Sequence, residues 1–313
     1  MKGLLIIGDI TDRMKKQFTE NFRIFRLNEI EDFDKFLKDH GDEIEAIATN
    51  GHDGVPDSLF DQLNSLKIIS CFGVGYDAID VKKAKRRGIV VTHTPNVLNA
   101  DVANLAILLI LATSRCLLRY DRWVRDGSWM KLGNAPLTHS IEKSKVGIVG
   151  LGRIGLTIAN KLKAFNCDIA YHSRSKKSES DLKYFADLVQ MAGWAEYLIV
   201  IVPGTVSTYR LIDQSVIDAL GPKGTLINIS RGSVVDEAAL RVALKDGRLG
   251  AAGLDVFENE PEVPPELSEM ENVVLTPHVA SATFETRKAM GDLVVENLIL
   301  FFQQGKALTP VPQ

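Results

Sequence analysis

The chain has 313 residues, 45% hydrophobic and 25% charged, with 37 Lys plus Arg against 40 Asp plus Glu for a formal charge of −3. That length allows two or three domains, the composition excludes disordered and collagen-like classes, and so mild a charge balance gives no footprint for a nucleic-acid or polybasic membrane binder. The longest apolar run, Leu105 to Ala112, falls far short of the roughly 20 residues a membrane span needs. Cys71, Cys116 and Cys167 are odd in number, widely spaced and form no CxxC. They predict a reducing cytoplasm and neither a disulfide framework nor a thiolate zinc site, so no metal is expected.

Gly3 to Ile7 is an apolar run that meets acids at Asp9 and Asp12; it reads as a first strand and not as a signal peptide. Strands are expected next at Arg23–Phe25, Ala46–Thr49, Lys67–Phe72 and Ile89–Val91, with helix-compatible charged segments at Asp12–Asn21 and Glu31–Asp39. Strands apolar throughout are buried on both faces, which means a parallel sheet covered by helices. Asn99 to Arg119 reads as one long helix, apolar on nearly all sides over Leu105–Ala112, to be buried inside the protein or against a partner subunit. A second strand–helix series follows at Lys145–Val149, Asp168–Tyr171, Leu198–Val202, Gly224–Ile229, Ala251–Val256 and Asn272–Leu275. Six strands in that rhythm match a doubly wound dinucleotide-binding sheet. A last helix, about Glu285 to Gln303, stops near Gly305.

The expected fold class is therefore α/β, with two Rossmann-like doubly wound parallel-sheet domains and a cleft between them. Residues 1–97 plus 287–313 would form the substrate-binding (catalytic) domain, and residues 98–286 the nucleotide-binding domain. Hinge closure over the cleft would exclude water.

The sharpest local signal is Gly150-Leu151-Gly152-Arg153-Ile154-Gly155, directly after a strand and at the mouth of a helix. Gly150 allows the tight turn, Gly152 the approach of a pyrophosphate, and Gly155 close helix–strand packing; the anion meets free N–H groups and the positive end of the helix dipole. The next strand selects the cofactor. An NAD site usually ends that strand with an acid for the ribose 2′-OH, whereas here it runs into His172-Ser173-Arg174-Ser175-Lys176-Lys177, with no acid before Glu179. Arg174 can pair with a 2′-phosphate and stack on adenine, Ser173 and Ser175 can donate to it, and Lys176 adds charge. The expected cofactor is NADP(H), preferred over NADH.

Three polar residues follow late strands of the same series: Arg231, Glu260 and His278. Ligands of open α/β sheets bind at the carboxyl ends of strands, so all three are well placed. The chain resembles the D-isomer-specific 2-hydroxyacid dehydrogenases, in the branch of glyoxylate, hydroxypyruvate and hydroxyphenylpyruvate reductases. The likeness spans nearly the whole chain. It is carried by Cys71-Phe-Gly73-Val-Gly75-Tyr-Asp77, the GLGRIG fingerprint, Asn228-Ile-Ser-Arg231-Gly, Gly253-Leu-Asp255-Val-Phe-Glu, and Pro277-His278 with Ser281-Ala-Thr283.

The resemblance implies Arg231 on the substrate carboxylate and carbonyl, His278 as general acid/base, and Glu260 as the histidine's partner. It further implies that Gly73, Val74 and Gly75 receive the substrate carboxylate on backbone N–H groups, that Asn50 and Gly51 line the pocket, and that Val202, Pro203 and Thr208 lie beside the adenosine and pyrophosphate. Ile229, Ser230, Arg231, His278 and Ala280 would border the cofactor, and Asp255 would bond the nicotinamide carboxamide. Ala280 stands where many relatives have Gly. Trp129-Met130, read as a loop, would reach a dimer partner's active site, and Asn99–Arg119 would be the dimer surface of a homodimer.

These features imply NADPH-dependent reduction of small 2-oxo acids, glyoxylate and hydroxypyruvate, to D-2-hydroxy acids. Reduction of aryl pyruvates such as hydroxyphenylpyruvate is the near alternative. A nucleotide-sensing corepressor-like binding protein is the alternative from another class, disfavoured by an intact Arg–Glu–His set. Neither nucleic acid nor a membrane is an expected partner. The YxxxK pair of short-chain dehydrogenases and the Cys/His zinc set of alcohol dehydrogenases are absent.

Overall fold

The computed structural model describes residues 1–312. The chain divides into two compact units, Met1–Leu98 with the segment from Ala282 onward, and Asn99–Ser281. The second crossing lies before the expected 286/287 because the long helix Phe284–Gln304 and its cap Thr283 belong whole to the first unit.

In the first unit β1 (Lys2–Ile6), β2 (Phe22–Arg26), β3 (Ile44–Asn50), β4 (Ile68–Phe72) and β5 (Val90–Thr92) form a parallel sheet of order β2-β1-β3-β4-β5. Side chains alternate across a strand, so the continuous apolar run of β1 feeds two cores. Leu4 and Ile6 pack with Phe18, Val294 and Leu298, while Leu5 and Ile7 pack with Phe60, Ile69 and Val91. The C-terminal segment closes over the β5 edge, where Val311 N–H donates to Val91 O and His93 N–H to Thr309 O.

In the second unit β6 (Lys145–Val149), β7 (Asp168–His172), β8 (Lys183–Phe185), β9 (Tyr197–Val200), β10 (Thr225–Asn228), β11 (Ala251–Leu254) and β12 (Val273–Leu275) form a seven-stranded parallel sheet of order β12-β11-β10-β9-β6-β7-β8. Both sheets are Rossmann-like. The seventh strand, β8, has no sequence signature: it is three residues long, none fully buried, and it pairs only with β7 at the sheet edge. Lys183 there lies 4.8 Å from the ring centres of both Phe185 and Trp194.

The expected single helix over 99–119 is instead two, Asn99–Ser114 and Leu117–Arg125, bent by 59°. Hydroxyls at its end compete with the helix. Thr113 donates to the Leu109 and Ile110 carbonyls and Ser114 to that of Leu111, a pattern that bends helices, and Cys116 then takes a left-handed φ of 46°. Cys116 is thus half-buried at a break and not a core thiol, whereas Cys71 is buried. The first helix is not uniformly enclosed within the unit: Val102, Ala106, Leu109 and Ile110 are buried while Leu108 is exposed. Trp129 and Met130 lie on a short exposed helix, Ser128–Leu132, and not in a loop. Among the described residues no single helix is long and apolar enough to cross a membrane.

The helix Arg153–Leu162 rests directly on the turn after β6. A Cβ at Gly155 would come within 2.1 Å of the Gly150 carbonyl oxygen. Gly155→Ala is therefore expected to overpack this contact and cost about 1–3 kcal/mol, read as a lower urea midpoint for the chain. An unchanged midpoint would contradict so close a packing.

Candidate active site

The second unit gathers its polar groups where β10, β11 and β12 end. Asp255, just after β11, is fully buried. Its Oδ1 accepts from the Thr276 hydroxyl (2.7 Å) and the Val279 N–H (2.9 Å), and its Oδ2 from the Ala280 N–H (3.0 Å). Its own carbonyl accepts the His278 N–H at 2.8 Å. Burial pushes the Asp255 carboxyl above its usual range, against the opposing pull of these donors and of His278. Asp255, expected at the nicotinamide carboxamide, also shapes the loop 276–280, for which Thr276 is the partner that sequence reasoning missed.

That loop holds His278 at φ 51°, the left-handed region that non-glycine residues rarely occupy. The ring is displayed, not packed away: its side chain is 42% exposed, and Nδ1 lies 2.7 Å from Glu260 Oε2. The other oxygen of Glu260 accepts the Phe257 N–H at 3.0 Å. Burial opposes ionisation of Glu260, but the bonds from His278 and Phe257, with the charges of His278 and Arg231, outweigh it and hold the carboxyl below its usual range. An ionised carboxylate only accepts, so Nδ1 carries the hydrogen and Nε2 is left for a ligand.

Arg231 follows β10. Its backbone is fixed by Asn228, whose Nδ2 donates to the Arg231 carbonyl (3.0 Å) and whose Oδ1 accepts from the Ser230 N–H and hydroxyl. Gly232 is obligatory here: a Cβ would fall 1.9 Å from the Phe257 backbone. That contact draws Arg231 toward the segment bearing Glu260. Ile229 and Ser230, expected to border the cofactor, are buried; the Ser230 hydroxyl donates to Asn228, which holds the Arg231 turn.

The glycine fingerprint has the geometry its residue types suggest. Gly150 adopts φ 105°, with Ile201 O and Val202 Cγ1 each 2.8 Å from its would-be Cβ. Gly152 would meet nothing within 4 Å and stands at a helix N-terminus that no side chain caps. Such a terminus leaves N–H groups for an anion. Gly152 and Arg153 are exposed and Ile154 half-buried, whereas the Leu151 side chain is buried, so only its backbone faces that space. Beside it, Val202 and Pro203 lead into a short 3-10 turn closed by a capping box between Thr205 and Thr208. Thr208 Oγ1 donates to Pro203 O at 2.6 Å and accepts the Thr205 N–H, so this side chain closes its own loop. After β7, Arg174, Ser175 and Lys176 are exposed, and the Ser173 hydroxyl donates to Ser175 O at 2.7 Å. The buried Tyr171 accepts the Lys177 N–H at 2.8 Å and Tyr184 donates to Ser173 O at 3.2 Å, two supports with no motif to announce them.

The first unit carries the other expected residues. The Asn50 side chain closes its own turn: Oδ1 accepts the His52 and Asp53 N–H groups and Nδ2 donates to Asp53, an Asx-type turn. Gly51 lies beside Gly73, its nitrogen 3.8 Å from a Cβ placed there. Gly73, Val74 and Gly75 form a partly exposed turn after β4.

Residues 107–280 match the family model described as D-isomer specific 2-hydroxyacid dehydrogenase, NAD binding domain. A hydroxyphenylpyruvate reductase of Plectranthus scutellarioides is 47% identical over 309 residues, which cover 99% of this chain and 98% of that protein. A glyoxylate/hydroxypyruvate reductase A of Arabidopsis thaliana is 46% identical over the same shares. The crystal structure of an NADPH-dependent glyoxylate/hydroxypyruvate reductase from Sinorhizobium meliloti, in complex with NADP and malonate, is similar with a TM-score of 0.92 at 47% identity, covering 99% of this chain and 96% of that one. Likeness at this level from end to end means that the chain belongs to the D-isomer specific 2-hydroxyacid dehydrogenase family.

Proposed function

We propose that the protein reduces small 2-oxo acids, glyoxylate and hydroxypyruvate first, to D-2-hydroxy acids with NADPH. The observation that carries this reading is the 2.7 Å bond between His278 and Glu260, which leaves one ring nitrogen to serve a carbonyl oxygen. A nicotinamide cofactor supplies the hydride for C2. The protein supplies position and a proton. The Arg231 fork grips the carboxylate and orients C2; within the first unit, the Gly73–Gly75 turn would offer backbone amides to a substrate carboxylate. His278 Nε2 donates its proton to the carbonyl oxygen, and Glu260, held ionised, stabilises the imidazolium from the opposite ring nitrogen. The second reading, aryl pyruvates, is favoured by the 47% identity to the Plectranthus reductase.

For the cofactor, the backbone of Gly150, Leu151, Gly152, Arg153, Ile154 and Gly155 would hold the pyrophosphate. Arg174, Ser175 and Lys176, with no acid before Glu179, would hold a 2′-phosphate, and the Sinorhizobium relative binds NADP. NADPH is expected to show a KM at least about tenfold below that of NADH, a difference of about 1.4 kcal/mol, and Arg174→Asp to reverse the order. A wild-type preference for NADH would overturn the cofactor assignment.

His278→Ala is expected to lower kcat by about 10²- to 10⁴-fold while NADPH fluorescence titration still reports binding. Turnover near the wild-type rate would remove His278 from the chemistry. Glu260→Gln, which puts a neutral amide where the carboxylate faces the ring, is expected to lower kcat while the KM of NADPH stays unchanged. Because the Glu260 carboxyl is held below its usual range, its contribution to stability is present above the unfolded value of about 4.3 and is lost as pH falls through the lower folded value. The stability gap between wild type and Glu260→Gln should therefore close on acidification below about pH 4.

We also propose a homodimer. Leu108, Leu117, Leu118, Trp129, Met130 and Leu132 are exposed within one stretch of the second unit, and apolar surface so concentrated marks an interface. Light scattering should give twice the chain mass; a clean monomer at micromolar concentration contradicts it.

A further inference from the structure

We infer that His93 is a positioning residue for the substrate carboxylate, acting by fixing the direction of the amides in the Gly73–Gly75 turn. The inference rests on the reading above that this turn receives the carboxylate.

Three successive carbonyls of the turn are tied back to the first unit. Gly73 O accepts the Thr94 N–H at 2.8 Å, Val74 O accepts from His93 Nδ1 at 3.0 Å, and Gly75 O lies 3.5 Å from Cys71 Sγ. In a trans peptide each C=O is antiparallel to the N–H that follows it, and the cis bond in this chain is elsewhere, at Glu260–Pro261. The N–H groups of Val74, Gly75 and Tyr76 therefore point away from those tethers. Among the described residues none of the three donates to a backbone carbonyl in a turn, loop or cap. Successive backbone N–H groups turned outward in this way make an anion-binding concavity.

The tethers differ in what they hold and how firmly. A thiol is a weak donor, and the Thr94 donor is main chain. His93 is the one strong side-chain tether, and it acts on the middle carbonyl. A carbonyl only accepts, so Nδ1 carries the hydrogen. The residue is 4% exposed and doubly anchored: its N–H donates to Thr309 O at 3.1 Å, and its carbonyl accepts the Thr309 hydroxyl at 2.6 Å. Thr309 is itself held by the fully buried Asn297. The ring also meets Tyr76 edge-on at 5.3 Å, which closes the far end of the turn. Cutting the Nδ1 bond frees the Val74–Gly75 peptide to rotate and turns the Gly75 N–H out of the concavity.

The test is steady-state NADPH oxidation with glyoxylate and hydroxypyruvate by the full-length protein carrying His93→Leu, His93→Asn or Val74→Pro, each checked for folding by thermal melt. Asn places an amide donor where Nδ1 stood; Val74→Pro deletes one of the outward N–H groups. His93→Leu is expected to raise the KM of both 2-oxo acids about tenfold, equivalent to about 1.4 kcal/mol, with kcat and the KM of NADPH within about twofold. His93→Asn is expected to restore the KM. If His93→Leu does not fold, His93→Gln, whose donor sits one bond farther out, replaces it with the same expectation. Should a folded His93→Leu keep the wild-type KM while Val74→Pro raises it, the role of His93 is overturned and the turn reading stands. If neither raises it, the turn reading itself falls. A tenfold rise that Asn does not restore assigns His93 a space-filling role and overturns the inference.

Discussion

A single buried carboxylate organises the reactive end of the second unit. Asp255 is shielded from water, and its three accepted hydrogen bonds all come from the loop that carries His278. Burying an ionised acid is unfavourable unless donors surround it. Here the donors belong to a backbone that must be bent, because His278 sits in a left-handed conformation that costs of order 1–3 kcal/mol. Each unfavourable feature is offset by the other. The loop satisfies the acid, and the acid holds the loop in a shape it would not otherwise keep.

The consequence is directional. With its backbone pinned, His278 meets Glu260 through Nδ1, and Glu260 is fixed in turn by the Phe257 N–H. Gly232 lets the Arg231 turn lie against the Phe257 backbone. Acid, imidazole and guanidinium therefore arise from three neighbouring strand ends, and His278, the Phe257 N–H and Arg231 together hold the Glu260 carboxyl below its usual range against the opposing effect of burial. A site held this way is preorganised for the chemistry proposed above.

Much of this was legible in the sequence, for physical reasons. Strands such as β6 and β7 are apolar runs with one reading, and the GLGRIG spacing belongs to a strand, a turn and a helix that all have their own signals. Family motifs pointed to Arg231, Glu260 and His278, whose polar groups the fold brings together. What stayed hidden has no local signature. β8 is an edge strand without a buried face, and the break after Ser114 depends on which carbonyls two hydroxyls choose. The motif reading also gave no sign that Asp255, Asn50 and Thr208 bond within their own loops. Residue type tells that a side chain can bond a ligand; only the fold tells which bonds it already makes.

The most direct test of this account is a crystal structure of the protein with NADPH and oxamate, a 2-oxo acid isostere. The account predicts His278 Nε2 within about 2.6–3.2 Å of the oxamate amide oxygen, Nδ1 still on Glu260, and Arg231 on the carboxylate. An imidazole turned from the inhibitor, or one parted from Glu260 when the inhibitor is bound, would contradict it.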